Sequence, residues 1–572
     1  MVKASVSAEK GDPSSLLRPN PGEKVEMDPN PIYGEGDHHG HGDKLSAGAI
    51  LKGDAGHTMP STPFEMKAAL VNRELDKMGL GRYQKAIWLL CGFGYFVDLM
   101  WSQGLGLLAT ALYQEFGVPE GRQGVVFSAM SAGLTGGAFF WGLAVDVIGR
   151  KWAFNLTVLI TCVFGSLVAA SQNYATACAM FALCGFGLGG QIPIDATITL
   201  EFLPQNRRYL LSLLSMWQPI GVVVASAITF GTVPKYRCPT TEPPLPACFE
   251  VADGAPCCSP SSNYGWRVCC GVLGGITLLV FIVRFFVFNF YESPKYLIGR
   301  GKEEEAIDVL HKIARFNKMP PPELTMEHFN DIDTKMSVVT VASDEELLGR
   351  KLTVMETAKR VVKESLKRAA HLKGLFMTPI MAFTTIVLWI AYIGDFWSFN
   401  IAGSFLPIIL QRRNLDRQIS VTETYRQYIY IYLPGVLGAI MAMFAVQLPV
   451  IGRKWSLVIG AALQGVSMAC YTAVNTPAAA VGLNAFEYVM QTFFNAILYA
   501  TTPEFFPAYV RGSACGLAST LGRLSGIVAP FAAQDLLAKE SNGVLWLAVG
   551  GIWLSMLVLI FLPIETRHRQ SY

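Results

Sequence analysis

The chain has 572 residues, of which 16% are charged and 52% apolar, with 54 glycines and a mean hydropathy of +0.36. A water-soluble domain carries about 25% charge, so the composition excludes a soluble enzyme and describes a membrane protein. The net charge of +3 is too small to mark a nucleic-acid partner.

Residues 1–84 begin with a charged segment containing Pro, Gly, Ser and His and lacking an apolar signal core. They are expected to remain as a disordered cytoplasmic tail. Asp37, His38, His39, His41 and Asp43 read as solvated low-complexity sequence, so no metal and no cofactor is expected. Windows of about 19 residues then find twelve stretches long enough to cross a hydrocarbon core of about 30 Å. They lie near 86–112, 124–145, 152–171, 176–201, 209–232, 268–290, 377–409, 427–446, 456–474, 480–502, 512–534 and 543–563. The fold expected is all-α, with twelve transmembrane helices in two six-helix bundles, 85–290 and 376–563, in a plasma or organelle membrane.

An ionisable side chain inside a span costs at least about 2.5 kcal/mol, which makes each one a functional candidate. In chain order these are Asp98, Asp195, Asp395, Glu487 and Arg523, each away from its span's ends. Asp98 lies near the middle of the stretch from Phe93 to Gln103 and is the first candidate for carrying a coupled proton. All eight histidines fall outside the spans, so a coupled proton would have to ride on a carboxylate. Asp195 follows Pro193 in a glycine-rich stretch, where it either meets a partner or caps a distortion. Arg523 could bind a substrate carboxylate, or pair internally with Asp395 or Glu487. Arg284 is expected to snorkel toward the cytoplasm. Tyr95, Trp101, Tyr392, Trp397, Phe493 and Tyr499 would line a cavity for a flat or ring-containing molecule.

Two segments are not spans. The loop 233–267 holds Cys238, Cys248, Cys257 and Cys258 and falls on the outer side, where disulfides are favoured. Three pairings are open, and the adjacent Cys257 and Cys258 are expected to bond to different partners. The segment 291–375 is a cytoplasmic linker, amphipathic around Glu303 to Ile313 with Ala306, Leu310 and Ile313 on its apolar face. Residues 564–572 form a cytoplasmic tail. With the N-terminus inside, the basic loops fall on the cytoplasmic side as the positive-inside rule requires. Arg412, Arg413, Arg417 and Arg426 are the exception, lying outside without a sequence-level explanation.

The halves repeat. Val-Ile-Gly-Arg-Lys-Trp at 147–152 recurs at 450–455. The same displacement carries Leu-Glu-Phe-Leu-Pro at 200–204 onto Pro-Glu-Phe-Phe-Pro at 503–507, and Arg208 onto Arg511. A looser match pairs Tyr95 and Asp98 with Tyr392 and Asp395, each followed by a tryptophan. Such repeats around a central axis are the architecture of a rocking secondary transporter that binds substrate near the midplane. Where the helix ends of the first half converge, Asp146, Gly149, Arg150, Lys151, Glu201, Arg208 and Glu292 are expected to form a cytoplasmic latch of ion pairs and helix caps that can form only when the cytoplasmic side is closed. In the second half the counterparts are Gly452, Arg453, Lys454, Glu504 and Arg511. There Gln447 or Pro449 stands where an acid like Asp146 is expected, so this latch should be weaker.

Gly142 to Lys151 resembles the loop motif after the second helix of the major facilitator superfamily. Tyr291-Glu-Ser-Pro-Lys295 with Gly301-Lys302 and Glu305-Ala306, and Pro563 to Thr566, resemble the signatures of its sugar-porter-like and organic-ion-transporter-like members. Gly92 to Asp98, Gly187 to Asp195, Leu200 to Pro204 and Gly522 to Pro530 look most like the branch of the synaptic vesicle glycoprotein-related transporters. That branch includes bacterial niacin transporters and neighbours organic cation and anion transporters. The seventh span, Trp389 to Trp397, lacks the paired glutamines of sugar porters, which points away from a hexose. The resemblance implies a monomer that binds a small-molecule substrate. No ATP-binding loop of the Gly-x-x-x-x-Gly-Lys-Ser/Thr type is present. The expected function is a secondary active transporter of a small organic anion or cation, coupled to protons. A non-transporting receptor of the same fold is the alternative, and sugar or phosphate transport is a lesser one.

Overall fold

The computed structural model describes residues 63–563 apart from 338–374 and short breaks at 205–206, 208, 240–244, 253–254, 289, 377, 447, 449–451, 475, 503–504, 507 and 540. The histidine cluster, Arg208, Glu504 and the closing motif beyond Pro563 therefore lie outside the described residues, as do the side chains of Asp146 and Arg511.

Twelve long helices follow one another. They are α1 Arg82–Glu115, α2 Val125–Ile148, α3 Arg150–Val168, α4 Tyr174–Phe202, α5 Trp217–Thr232 and α6 Gly265–Ile282, then α7 Pro379–Asp416, α8 Val421–Ala445, α9 Gly452–Ala473, α10 Pro477–Thr501, α11 Ala508–Lys539 and α12 Ser541–Ile560. No strand occurs among the described residues. Nine helices among them are long and apolar enough to cross a membrane on those grounds alone. The remaining three, α1, α10 and α11, are those that carry Asp98, Glu487 and Arg523. They span for the same reason as the others, and their polar side chains lower the mean hydropathy because they face protein rather than lipid.

Within each half the helices pack closely. Where α2 crosses α4, a Cβ at Gly133, Gly137, Gly185 or Gly189 would strike the backbone of the facing helix, so small residues set the approach. That is the physical content of the glycine-rich stretch before Asp195. The halves meet where α1 touches α7, α2 touches α11 and α5 touches α8.

The apolar core is divided unevenly. One cluster spans both halves at the end carrying the cystine loop, called the outer end below. It joins Phe96 to Tyr113 of α1 and Phe127 of α2 to Phe405 of α7, Tyr425 of α8 and Ala529 of α11. At the opposite end, next to the linker, each half has its own core. Tyr95, Phe154, Ile194 and Phe290 belong to the first half's, and Tyr392, Leu457, Phe494 and Ala518 to the second's.

Beneath the first half, part of the expected tail is ordered. A helix Pro63–Met78 packs on linker helices Glu303–Asn317 and Met326–Ser337. The linker helix turns Ala306, Leu310 and Ile313 inward. Lys67 bridges Glu303 and Asp333 at 2.6 Å each. Lys77 lies 2.7 Å from Glu323 and holds that exposed carboxyl below its usual range through the hydrogen bond. Asn317 accepts from the Tyr83 backbone N–H at 2.8 Å, capping the start of α1. Only a packed partner distinguishes an amphipathic helix from a polar tail, and the helix Pro63–Met78 has one in the linker helices.

At the outer end Cys238 is bonded to Cys258 and Cys248 to Cys257. Glu115 at the end of α1 pins this loop, accepting from Trp266 Nε1 at 2.8 Å and from Arg267 at 2.7 Å. The outer arginines also find their explanation here. Arg412 donates to the Leu537 carbonyl at 3.4 Å and Arg413 to the Tyr471 carbonyl at 3.0 Å, the C-terminal ends of α11 and α9, where a cation is favoured. Arg412 also reaches Glu120 of the first half at 2.8 Å, and Arg426 pairs with Glu423.

Candidate translocation site

Four of the five intramembrane candidates lie near where the shared outer core gives way to the two separate ones. On α1 the shared core begins at Phe96 and the first half's own core ends at Tyr95, so Asp98 sits at the junction. On α4 Asp195 falls between Leu188 of the shared core and Ile198 of the separate one. On α7 Asp395 lies between Tyr392 and Ile401, on α11 Arg523 between Ala518 and Ala529, and on α10 Glu487 precedes Tyr488 and Phe493. Asp98, Asp195, Asp395 and Arg523 therefore lie near the junction, and Glu487 lies within the shared outer core, between Ala480 and Tyr488.

Their partners differ. Asp195 is bound to Arg284 at 3.0 Å, both fully buried. Arg284 also donates to the Leu90 carbonyl at 2.7 Å and the Phe154 carbonyl at 3.3 Å, and its guanidinium lies 3.8 Å from the Phe154 ring centroid. The expectation that Arg284 snorkels outward fails because four groups hold it inside. It sits in a π-helical turn, Val283–Val287, and such turns aim side chains that a regular helix would not. Gly94 makes room for this pair, since any Cβ there would overlap Asp195 Oδ2.

Asp98 is buried with Oδ1 lacking a hydrogen-bond partner. Arg523 is also buried, its Nε unpartnered, with its guanidinium 6.0 Å from the Phe396 ring centroid. The expected internal salt bridge from Arg523 to Asp395 or Glu487 is not made among the described residues. Asp395 is met instead by Asn495, whose amide nitrogen, turned toward the carboxylate, lies 2.7 and 3.1 Å from its oxygens. Glu487 accepts from Gln464 Nε2 at 3.2 Å. Sequence reasoning missed both amide partners. The signal was present on α10, where Asn484, Glu487, Gln491 and Asn495 recur at helical spacing as a polar stripe.

The aromatic candidates divide. Trp101 and Trp397 each pack within their own half. Trp101 donates to Thr277 Oγ1 at 3.0 Å and lies on Gly165 of α3, while Trp397 lies on Gly551 of α12. Each serves its own half, because a facing glycine leaves a slot for the indole. Tyr95 is buried in the first half's core. Tyr392 donates to Thr502 Oγ1 at 3.0 Å and stacks near Phe396. Gln103 does line a cavity, together with Gly403 and Pro407 of α7, Tyr432 of α8 and Glu487, Tyr488 and Gln491 of α10. It leaves ≈ 20 Å³ for water centres, room for a water or two.

The linker-end latch of the first half is assembled. Glu292 accepts from the backbone N–H of Arg150 at 3.0 Å and of Lys151 at 3.3 Å, capping α3 where the helix dipole favours an anion. Gly149 has φ 93, and a Cβ there would lie 2.6 Å from the Glu292 carboxylate. Arg150 reaches Glu201 at 3.4 Å and covers the Tyr296 ring at 4.3 Å. These contacts stay within one half, so they form without the two halves closing at this end. That departs from the expectation that they require closure. In the second half Gly452 has φ 61 and Lys454 lies 5.6 Å from the Trp455 ring centroid.

A two-fold repeated bundle with charges buried at the level where its halves part defines a membrane transporter. The profile of the family "Sugar (and other) transporter" matches residues 106–572. The chain is 35% identical over 514 residues to MFS siderochrome iron transporter 1 of Ceriporiopsis subvermispora, covering 89% of this chain and 92% of that protein. It is 25% identical to the synaptic vesicle 2-related protein of Bos taurus, covering 87% and 82%. The inward-open xylose transporter of E. coli shares the fold, with a TM-score of 0.61 at 15% identity over 85% of this chain and 98% of that one. The chain belongs to the sugar (and other) transporter family of the major facilitator superfamily, whose members are transporters of sugars and other organic solutes, not enzymes.

Proposed function

We propose that the protein is a proton-coupled secondary transporter of a small organic solute working by alternating access, here closed at its outer end. One observation carries this reading: the halves share an apolar core at the outer end and have separate cores at the linker end, with Asp98 of one half and Arg523 of the other buried near the level between. Rocking would exchange which end is fused, and that level would face each side in turn. Ionised Asp98 is drawn to Arg523 across the interface, while a proton on Asp98 removes that attraction. The proton thus changes how strongly the halves hold together at the depth where solute binds.

The test is uptake into proteoliposomes of labelled nicotinate, succinate, choline, glucose, phosphate and a ferric siderochrome, with and without an inward proton gradient. Gradient-stimulated uptake of one class is expected. Asp98→Asn should abolish uphill accumulation while leaving solute exchange measurable. Equal uptake with and without the gradient overturns the coupling. Binding without flux would favour a receptor of the same fold.

A further inference from the structure

The buried charges do not balance. Among the described residues Asp195 is matched by Arg284, whereas Asp395 is met only by the neutral amide of Asn495 and Glu487 only by that of Gln464. Glu487 is also the one carboxylate lining the cavity between the halves, beneath the contact of α1 with α7. Around it several polar atoms are buried without partners: Gln103 Oε1, Gln464 Oε1, Gln491 Nε2 and Tyr488 Oη. Buried unpaired groups of this kind are costly, and a cluster of them around one carboxylate marks a place for a polar ligand.

The lining identifies the chemistry. Tyr432 and Tyr488 meet edge to face with centroids 4.8 Å apart, and Tyr428 lies on the same wall. Pro407 has no N–H, so the carbonyl of Gly403, four residues earlier and also on the wall, loses its helical donor. The Glu487 carboxylate and the unpartnered Gln103 Oε1 are acceptors on this lining, and tyrosine faces attract cations. A carboxylate or phosphate ligand would meet Glu487 with like charge. A neutral polyol would leave that charge unanswered.

We propose that Glu487, Gln103, Gln491 and the tyrosines form a subsite for the ammonium group of a protonated or quaternary amine, making the transported solute an organic cation. This rests on the transporter reading and narrows it. As it stands the cavity is collapsed onto a water or two, because Gln103 is pressed against Gly403, and the amine would occupy it when α1 and α7 separate at the outer end. Tyr488 Oη and Gln491 Nε2 are left to hold a polar group on the far side of the ammonium.

The test is equilibrium binding to the full chain in nanodiscs of three labelled cations, choline, tetraethylammonium and benzylamine. The neutral choline isostere 3,3-dimethylbutanol, glucose and nicotinate serve as controls, with flux measured in parallel. At least one cation should bind at least tenfold more tightly than its neutral counterpart. Glu487→Gln should remove that preference while the protein stays monodisperse, and Glu487→Asp should restore part of it. Absence of binding by all three cations overturns the proposal, as does a Glu487→Gln variant that binds them unchanged but no longer responds to a proton gradient. Flux of glucose or nicotinate without cation binding sinks the cation site and keeps the transporter. Cation binding without flux supports the site and sinks the transporter.

Discussion

Asp195 and Arg284 show how a single missing side chain permits a buried charge. Arg284 satisfies carbonyls of α1 and α3 while neutralising a carboxylate on α4, so it ties four helices together. The arrangement exists only because position 94 has no Cβ. Gly94→Ala should therefore force Asp195 from Arg284 and leave both buried without each other, a loss of about 3–5 kcal/mol. A thermal melt in detergent reads this as a large fall in Tm. Gly136→Ala, where a Cβ meets open space, should stay within about 0.5–1 kcal/mol of the parent. Equal melts for the two variants would show that the ion pair does not depend on the approach of α1. Lys67 offers a milder case outside the membrane. Lys67→Ala removes two ion pairs at a largely buried nitrogen, and limited proteolysis should cut the helix Pro63–Met78 faster, whereas an unchanged rate would mean that apolar packing alone holds it.

The helices were legible because lipid imposes an unambiguous demand: long apolar segments, with every backbone group bonded internally. The twelve spans follow from that demand, and so does the position of each charge along its own span. What one span meets on another does not follow. Asp98 and Asp395 are near-equivalents in the repeat, yet Asp98 keeps Oδ1 unpartnered and Asp395 meets Asn495, because the repeat fixes backbone position and not the neighbour across the gap. The tryptophans beside them look like cavity residues in the sequence and are packed away by glycines on α3 and α12, far along the chain. The outer arginines resisted a charge rule that counts residues, and make sense only once the carbonyl ends of α9 and α11 are brought beside them.

At the same scale α7 has a weak point. Pro407 frees the Gly403 carbonyl, and that carbonyl faces Gly106 so closely that a Cβ there would lie 2.6 Å away. A helix lacking one internal bond bends there at lower cost. Pro407→Ala restores the donor and should stiffen α7. Turnover is expected to fall about tenfold, corresponding to about 1.4 kcal/mol on the barrier, with KM changing far less. A proportional rise in KM would instead assign Pro407 to solute contact.

For the whole molecule, the state seen is held by what fuses the outer end. The links between halves there are specific: Thr110 of α1 with Gln411 of α7 at 2.8 Å, the Gly124 backbone N–H with Gln534 at 2.9 Å, Ser128 with the Ile527 carbonyl at 2.9 Å, Tyr425 with the Leu107 carbonyl at 3.1 Å, and Arg412 with Glu120. Each is modest by itself, about 0.5–1.5 kcal/mol, so the equilibrium between fused and open outer ends is set by their sum with the shared apolar core. Two points are equally tight, Gly124 against the Pro530 carbonyl and Gly106 against the Gly403 carbonyl, where backbone meets backbone and neither can yield. Gly106→Leu places a side chain where the halves must touch and should shift the population toward the open outer end. A shift of about 1.4 kcal/mol changes the open-to-fused ratio tenfold. With Gln411→Cys as reporter, a membrane-impermeant maleimide should then label the outer side about tenfold faster in the Gly106→Leu background than without it. Solute binding from the linker side should weaken in step, because the same equilibrium governs both. Unchanged labelling with intact folding would mean that the outer contacts are fixed architecture, and that the part which moves lies elsewhere.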